Sequence, residues 1–411
     1  MNPQAEAGTG LRVAALLLAS LIAAAPVTAE AASRRQAKKA PAEEAPAPPP
    51  QPGGAPTLAA RSWMLVDVSS GQVLASAEAD RRVDPASLTK LMTARLVFGA
   101  LADGKLRPEQ RPPVSQAAWK AIGSRMFVDP ARPATVEELM QGMIVQSGND
   151  ASIVLAEAVG GTEAQFAEQM NREAQRLGLS NTRFANATGL PDAQHYSTAR
   201  DLAVLASRLI ADHPQHYALY GRKEYTYNGI RQPNRNRLLF IDPTVDGLKT
   251  GHTEAAGWCL IASARRDQGG VLERRLLSVV LGAASDSARA AESQRLLNWG
   301  FQNTEAVRLF AKNQPAGSYR VWKGTAAEVK AGFETDVIVS APRGQAGALK
   351  AEVERVQPLT APVLRGQRVG TLRVKLGEQT IVERPLLALE AVAPAGLIGR
   401  AWDTIRLWME R

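Results

Sequence analysis

Three short strings constrain this 411-residue chain more than any bulk property: Ser87-Leu-Thr-Lys90, Ser147-Gly-Asn149 and Lys249-Thr-Gly251. They place serines and two lysines on three segments far apart in sequence. A fold that uses them together has to converge those segments on one crevice. A serine hydroxyl is a poor nucleophile until a neighbour takes its proton. The four histidines, His195, His213, His216 and His252, form no Ser-His-Asp signature, so lysine is the remaining base. Lys90 follows Ser87 by three residues, and on a helix i and i+3 share a face. Asp84-Pro85 precedes the string, and Leu88, Leu91, Met92, Leu96 and Phe98 follow at helical spacing, which predicts a helix beginning near Ser87. Orphan backbone N–H groups at such a start suit a developing oxyanion. The alternative is a capping Ser87 and a solvated Lys90.

The second string ends one helix and begins another. Thr135-Val-Glu-Glu138 reads as a capping box before Leu139, Met140, Met143 and Ile144, and an apolar helical run follows from Ala151 to Val159. A polar loop clasped between them can aim Ser147 and Asn149 inward, and Asn149 has the donor and acceptor to hold a substrate amide. An ordinary Gly/Asn turn is the alternative. The third string precedes the strand-like run Trp258–Ala264, which puts Lys249 and Thr250 beside a sheet edge. Such an edge can pair with an extended peptide, and those two side chains suit a terminal carboxylate. A surface Lys-Thr-Gly turn is the alternative here.

The combination Ser-x-x-Lys, Ser-x-Asn, Lys-Thr-Gly is a known mark of penicillin-binding proteins and serine β-lactamases. Within that group the chain resembles the low-molecular-mass D-alanyl-D-alanine carboxypeptidases. The resembling stretches are Asp84–Lys90, Ser147–Ala151, Thr188–Asp192, His195–Asp201, Asn234–Leu239 and Val245–Thr253, within roughly residues 59–300, with a looser likeness beyond. The resemblance implies Ser87 as the acylated nucleophile, Lys90 as its base, Ser147 as a proton relay and Asn149 as the holder of the substrate peptide bond. It implies positive charge from Lys249, and substrate binding by Thr250, Gly251, His252 and Arg235. The backbone N–H groups of Ser87 and His252 would form the oxyanion hole. His195 to Thr198 read as structural. Lys90 has to be neutral part of the time near pH 7, through burial and a nearby cation expected to be Lys249. No cofactor and no metal are expected.

The rest of the chain fits an exported enzyme. Arg12, the apolar run Val13–Pro26 and the small residues Ala29 and Ala31 predict a cleaved export signal over 1–31, with a retained anchor as the alternative. Residues 32–58, rich in Ala and Pro, read as a linker. Residues 59–302 mix strands at both ends with helices between, an α+β pattern that matches a penicillin-binding, β-lactamase-like transpeptidase domain with helices around an antiparallel sheet. From 303 to 393 short alternating segments predict a small β-rich domain. In 394–411, Leu397, Ile398, Ala401, Trp402, Ile405, Trp408 and Met409 recur at helical spacing, with Arg400, Asp403, Arg406, Glu410 and Arg411 mostly opposite. That is an amphipathic helix suited to a membrane surface, or else one packed on protein.

The net charge of +9 favours anionic partners, among them phospholipid and cell-wall polymer; the export signal argues against nucleic acid. The lone Cys259 cannot form an internal disulfide, and His213 and His216 read as surface residues. The expected activity is removal of the terminal D-alanine from peptidoglycan pentapeptide stems at the periplasmic face of the inner membrane, with acylation by penicillin. No obligate protein partner is evident. A transpeptidase or endopeptidase would use the same residues. A class A β-lactamase would need a Glu-x-x-Leu-Asn string, which is absent between Ser147 and Lys249. A non-catalytic wall-binding scaffold is the reading from a different class.

Overall fold

The computed structural model describes residues 54–268 and 273–409. The predicted export signal, the linker up to residue 53, and Glu410 and Arg411 lie outside the described residues.

A hairpin opens the described chain, β1 (Ser62–Asp67) and β2 (Gln72–Ala77), turning at Gly71 with φ +77°. A 3-10 turn over Ala86–Thr89 runs straight into α1 (Lys90–Ala102). The helical middle continues with α2 (Gln116–Trp119), α3 (Val136–Gln141), a π-helical turn over Gly142–Gln146, α4 (Asn149–Gly160), α5 (Glu163–Arg176), α6 (Ala199–Asp212) and α7 (Pro214–Tyr217). Side-chain caps start several of these helices. Thr135 and Glu138 form the reciprocal box at α3, and Thr198 caps α6 through the Asp201 N–H. The small hairpin β3 (Glu224–Tyr227) and β4 (Ile230–Pro233) and the short α8 (Leu238–Ile241) lead to β5 (Val245–Thr253), β6 (Gly257–Asp267), β7 (Glu273–Ala283) and α9 (Asp286–Asn303).

Strands from both ends of this region form one antiparallel sheet in the order β2-β1-β7-β6-β5, so β5 is an edge. Alternation along β7 sorts its side chains. Leu277, Val279 and Leu281 join the core shared with Leu91, Val154 and Leu205 of the helices, while Leu276 and Val280 meet Leu296, Leu297 and Phe301 of α9. Both faces are therefore covered, which is why β6 and β7 are almost continuously apolar.

Beyond α9 the pattern changes to strands. β8 (Thr304–Phe310) pairs with β11 (Val337–Pro342). β9 (Pro315–Arg320), β10 (Glu328–Gly332), β12 (Leu349–Arg355), β13 (Arg368–Leu376) and β14 (Gln379–Ala388) form a sheet in the order β12-β13-β14-β10-β9 around its own core. A buried ion pair ties this part to the first sheet. Arg274 Nε donates to Asp67 Oδ2 at 2.6 Å, with both side chains 0% exposed. Ser340 Oγ donates to the same carboxylate oxygen, and Arg274 also donates to the Thr304 carbonyl and hydroxyl.

The last element, α10 (Leu397–Met409), turns Asp403 and Leu407 toward the β-rich part, where the Lys323 N–H donates to Asp403 at 2.6 Å. Its apolar side faces outward, with Ile398 89% and Trp408 79% exposed. Among the described residues no helix is long and apolar enough to cross a membrane. His213 and His216 are not free surface residues. Both rings pack on Phe98, His216 stacked at 4.7 Å, because α7 folds back against α1.

Candidate active site

The turn that carries Ser87 is held from beneath. Ala86, just before Ser87, has φ +46°, a left-handed conformation that costs a β-carbon residue about 1–3 kcal/mol unless its surroundings impose it. Gly189 is what imposes it. A β-carbon there would lie 1.8 Å from the Ala86 carbonyl oxygen, so only glycine lets this loop dock on the turn. The loop is stiffened by Asn186, whose Oδ1 accepts from the Thr188 N–H, the Thr188 hydroxyl and the Gly189 N–H. On the other side His195 Nε2 lies 2.8 Å from the Thr89 hydroxyl, while His195 Nδ1 accepts from the Ala185 N–H. Burial pulls this imidazole down to about 4, so it stays neutral and structural at physiological pH.

Lys90 sits at the first residue of α1, fully buried. Its Nζ has three neighbours: Ser87 Oγ at 2.9 Å, Asn149 Oδ1 at 2.7 Å and the Thr188 carbonyl at 2.6 Å. Two of these are obligate acceptors. A neutral amine has two N–H donors and one lone pair, so it satisfies both carbonyls and turns its lone pair to the Ser87 hydroxyl. Burial, with no carboxylate in contact, pulls Lys90 down to about 7. The nearby cation expected from the sequence was Lys249; the structure differs. After burial, Arg235 is the charge that lowers Lys90, opposed by Asp150 and Glu163. The reason is that Lys249 is itself fully buried and held well below its ordinary range, by burial first, then by Lys90, Arg235 and Arg289. A buried amine loses proton affinity more readily than a guanidinium does.

The π-helical turn delivers the second string. Gly142 begins it, and a β-carbon there would clash with Met126. Ser147 ends it at φ +66°, and the Gly148 N–H returns to the Gly142 carbonyl at 3.0 Å. Ser147 Oγ then accepts from Lys249 Nζ at 2.8 Å. Asn149 donates through Nδ2 to the Ile122 carbonyl, and its backbone N–H donates to Ser124 O. The adjoining Asp150 accepts from the N–H groups of Met126, Phe127 and Val128. Together they staple the 122–128 loop along one rim.

The third string lies on edge strand β5, as the sequence predicts. Lys249 and Thr250 are buried, and the His252 ring packs tilted against Trp258, with centroids 3.9 Å apart. All three segments meet in one cleft of about 420 Å³, whose lining includes Ser87, Ser147, Asn149, Arg235, Thr250, Gly251 and His252. Lys90 and Lys249 are its buried amines, reached through their contacts with Ser87 and Ser147. Arg235 stands on the rim with its Nε donating to Gln146.

Residues 49–285 match the family model of D-alanyl-D-alanine carboxypeptidase, and 305–394 match that of the penicillin-binding protein 5 C-terminal domain. The chain belongs to the D-alanyl-D-alanine carboxypeptidase family. It is a serine carboxypeptidase, a hydrolase of the D-alanyl-D-alanine type with a penicillin-binding fold. It is 44% identical over 362 residues to D-alanyl-D-alanine carboxypeptidase DacC of Escherichia coli K12, covering 86% of this chain and 89% of the relative. It is 34% identical to DacF of Bacillus subtilis, covering 85% and 90%. Penicillin-binding protein 5 from Haemophilus influenzae superposes with a TM-score of 0.78 at 37% identity, covering 83% of this chain and 99% of that structure. The ampicillin-bound penicillin-binding protein D2 of Listeria monocytogenes gives 0.55 at 31% identity, over 60% of this chain and 99% of that structure.

Two parts of the carboxypeptidase's cleft carry no signal in the sequence. Arg289, in the first turns of α9, reaches under β5. Its Nη1 donates to the Gly251 carbonyl at 3.0 Å, and its guanidinium lies 5.0 Å over the Trp258 ring. In the sequence it is one arginine on a helix face. The Thr188 carbonyl and the stapled 122–128 rim are backbone features, which residue identity does not announce. Cys259 is buried in β6, and burial pushes its thiol up to about 11, so it packs as an inert small side chain.

Proposed function

We propose that the carboxypeptidase works through an ester on Ser87. Neutral Lys90 takes the hydroxyl proton as Ser87 Oγ attacks the carbonyl of the penultimate D-alanine. Backbone N–H groups of Ser87 and His252 receive the oxyanion. Collapse breaks the C–N bond as Ser147, which accepts a hydrogen bond from Lys249, relays the proton held by Lys90 to the departing D-alanine nitrogen, leaving Lys90 neutral again. Lys90 then activates water against the ester. Asn149 holds the substrate amide, while Thr250 and Gly251 on β5, with Lys249, Arg235 and Arg289, bind the terminal carboxylate. The observation that carries this reading is the Lys90 amine, with two carbonyls taking its N–H groups and Ser87 Oγ 2.9 Å from the nitrogen. Substrates are peptidoglycan pentapeptide stems. Penicillins acylate Ser87 as mimics whose leaving group stays tethered. The test is D-alanine release from a pentapeptide: the wild type releases it and Ser87→Ala does not. Release by Ser87→Ala refutes the scheme.

The division of labour belongs to the same proposal. Residues 1–31 export the chain, 32–58 link it, 59–302 catalyse, 303–393 space the cleft from its anchor, and 394–411 lie in the periplasmic surface of the inner membrane. The outward apolar side of α10 supports this, since such a helix gains by entering the headgroup boundary. Deleting 394–411 is expected to move the enzyme from the membrane fraction to the soluble one with penicillin labelling intact; an unmoved variant contradicts the anchor.

A further inference from the structure

Beside the catalytic cleft lies a broader pocket of about 680 Å³. His252 and Trp258 line both, so the two hollows adjoin at that pair of rings. Two opposite charges, both exposed, line the broader one: Arg61 and Glu254. Glu254 is the first residue beyond β5, in the turn to β6, and it has no ion pair among the described residues. Arg61 precedes β1, and its stem crosses Gly282, where a β-carbon would lie 2.6 Å from the arginine Cγ. Only a glycine leaves room for that crossing. The Arg61 Nη1 then donates to the Ala255 carbonyl, one residue from Glu254. The guanidinium is thereby tied to the turn that carries the carboxylate. No carboxylate pairs with it among the described residues.

We propose that this pocket receives the side-chain head group of the stem's third residue when that residue is a diamino diacid, whose side chain ends in an ammonium and a carboxylate on one carbon. The proposal rests on the carboxypeptidase scheme above, in which the terminal carboxylate sits at Lys249 and Thr250 and the reacting carbonyl at the His252 N–H. The remainder of the peptide then leaves past His252, toward Thr253 and Glu254. The third residue directly precedes the one that bears the reacting carbonyl, with α-carbons about 3.8 Å apart. A long side chain from there crosses the His252–Trp258 pair into the adjoining pocket. Arg61 matches its carboxylate and Glu254 its ammonium. A lysine in the same place carries the ammonium alone and leaves Arg61 without a partner. Complementary charges of this kind give specificity more than raw affinity.

The test is kcat/KM for D-alanine release from two pentapeptides that differ only at the third residue, 2,6-diaminopimelic acid or lysine. The wild type is expected to favour the diaminopimelate peptide by about fivefold, the upper range for an exposed ion pair, with the difference in KM. Arg61→Gln is expected to abolish that preference by weakening the diaminopimelate peptide alone, and Arg61→Lys to restore part of it. Glu254→Gln is expected to weaken both peptides alike, since both carry the ammonium. Penicillin, which lacks this head group, is expected to acylate Ser87 at the wild-type rate in each variant, which reports an intact cleft. Arg107→Gln removes an exposed charge outside the pocket and is expected to keep the preference. An equal loss there means diffuse attraction and overturns the pocket. So does an Arg61→Gln variant that keeps the preference or weakens both peptides alike, and so does a Glu254→Gln variant that weakens neither. If the wild type releases D-alanine from neither peptide, the carboxypeptidase scheme itself fails; release from both at equal rates sinks only the pocket.

Discussion

The cleft and the seam between the two sheets both bury positive charge, and they treat it in opposite ways. At the seam Arg274 meets Asp67 at 2.6 Å, with Ser340 and Thr304 completing the hydrogen bonds. In the cleft Lys90 and Lys249 are as deeply buried but touch only hydroxyls and carbonyls. Pairing keeps a guanidinium charged and makes it structural. Leaving an amine without a carboxylate lowers its proton affinity, which suits the base role proposed for Lys90. The difference separates a fastening from a reagent. The order differs between the two amines: Arg235 is the charge that lowers Lys90, and Lys90 is the first charge that lowers Lys249.

Removing each partner tests that contrast, and the largest effect is expected at Lys90. Lys90→Ala is expected to slow acylation by labelled penicillin by about 10⁴-fold, the upper range for a general base, with the variant still folded by circular dichroism. Unchanged labelling removes Lys90 from the mechanism. Asp67→Asn should do the reverse. Leaving Arg274 buried without its partner costs about 3–5 kcal/mol of unfolding free energy, read by denaturant titration, while acylation per folded molecule stays within about twofold. A variant that keeps its stability and loses acylation contradicts the seam as a fastening.

Gly189→Ala attacks the support of the Ser87 turn. Its β-carbon would meet the Ala86 carbonyl at 1.8 Å, so acylation is expected to fall about a hundredfold as Ser87 shifts, with circular dichroism little changed. Wild-type acylation rates would mean the loop yields. The pH dependence follows from Lys90 at about 7. The neutral amine is the active form, so the acylation rate is flat well above pH 7 and falls about tenfold per unit below it. The smallest effect sharpens the same point. Arg235 lowers Lys90, so Arg235→Gln raises it and moves that limb to higher pH by about half a unit. A limb moved downward reverses the assignment.

How far the site was legible in the sequence depends on what carries each part. The Ser87–Lys90 spacing, the Thr135–Glu138 box and the edge-strand placement of Lys249 are local patterns, and they read correctly. The fold class followed from strands at both ends with helices between. Arg289 and the Asp67–Arg274 pair did not read, because each contact spans tens to hundreds of residues and no periodicity marks it. The charge beside Lys90 was assigned to the wrong residue for a related reason. The three motifs suggest that two lysines are near, but only the folded structure shows that Lys249 is buried and lowered in its turn, and that Arg235 is the charge lowering Lys90. The positive φ of Ala86 and Ser147 was equally invisible, since neither residue is one that favours that conformation.

The central claim is that Ser87, deprotonated by Lys90, is the atom that accepts the acyl group. Mass spectrometry of the tryptic digest after penicillin exposure tests it directly, because cleavage after Arg82 and Lys90 isolates Val83–Lys90 with Ser87 and Thr89 as its only hydroxyls. The account predicts the intact drug's mass added to that peptide, fragmentation placing it on Ser87, and no adduct in Lys90→Ala treated for the same time. An adduct on any other peptide, or full labelling without the lysine, contradicts it.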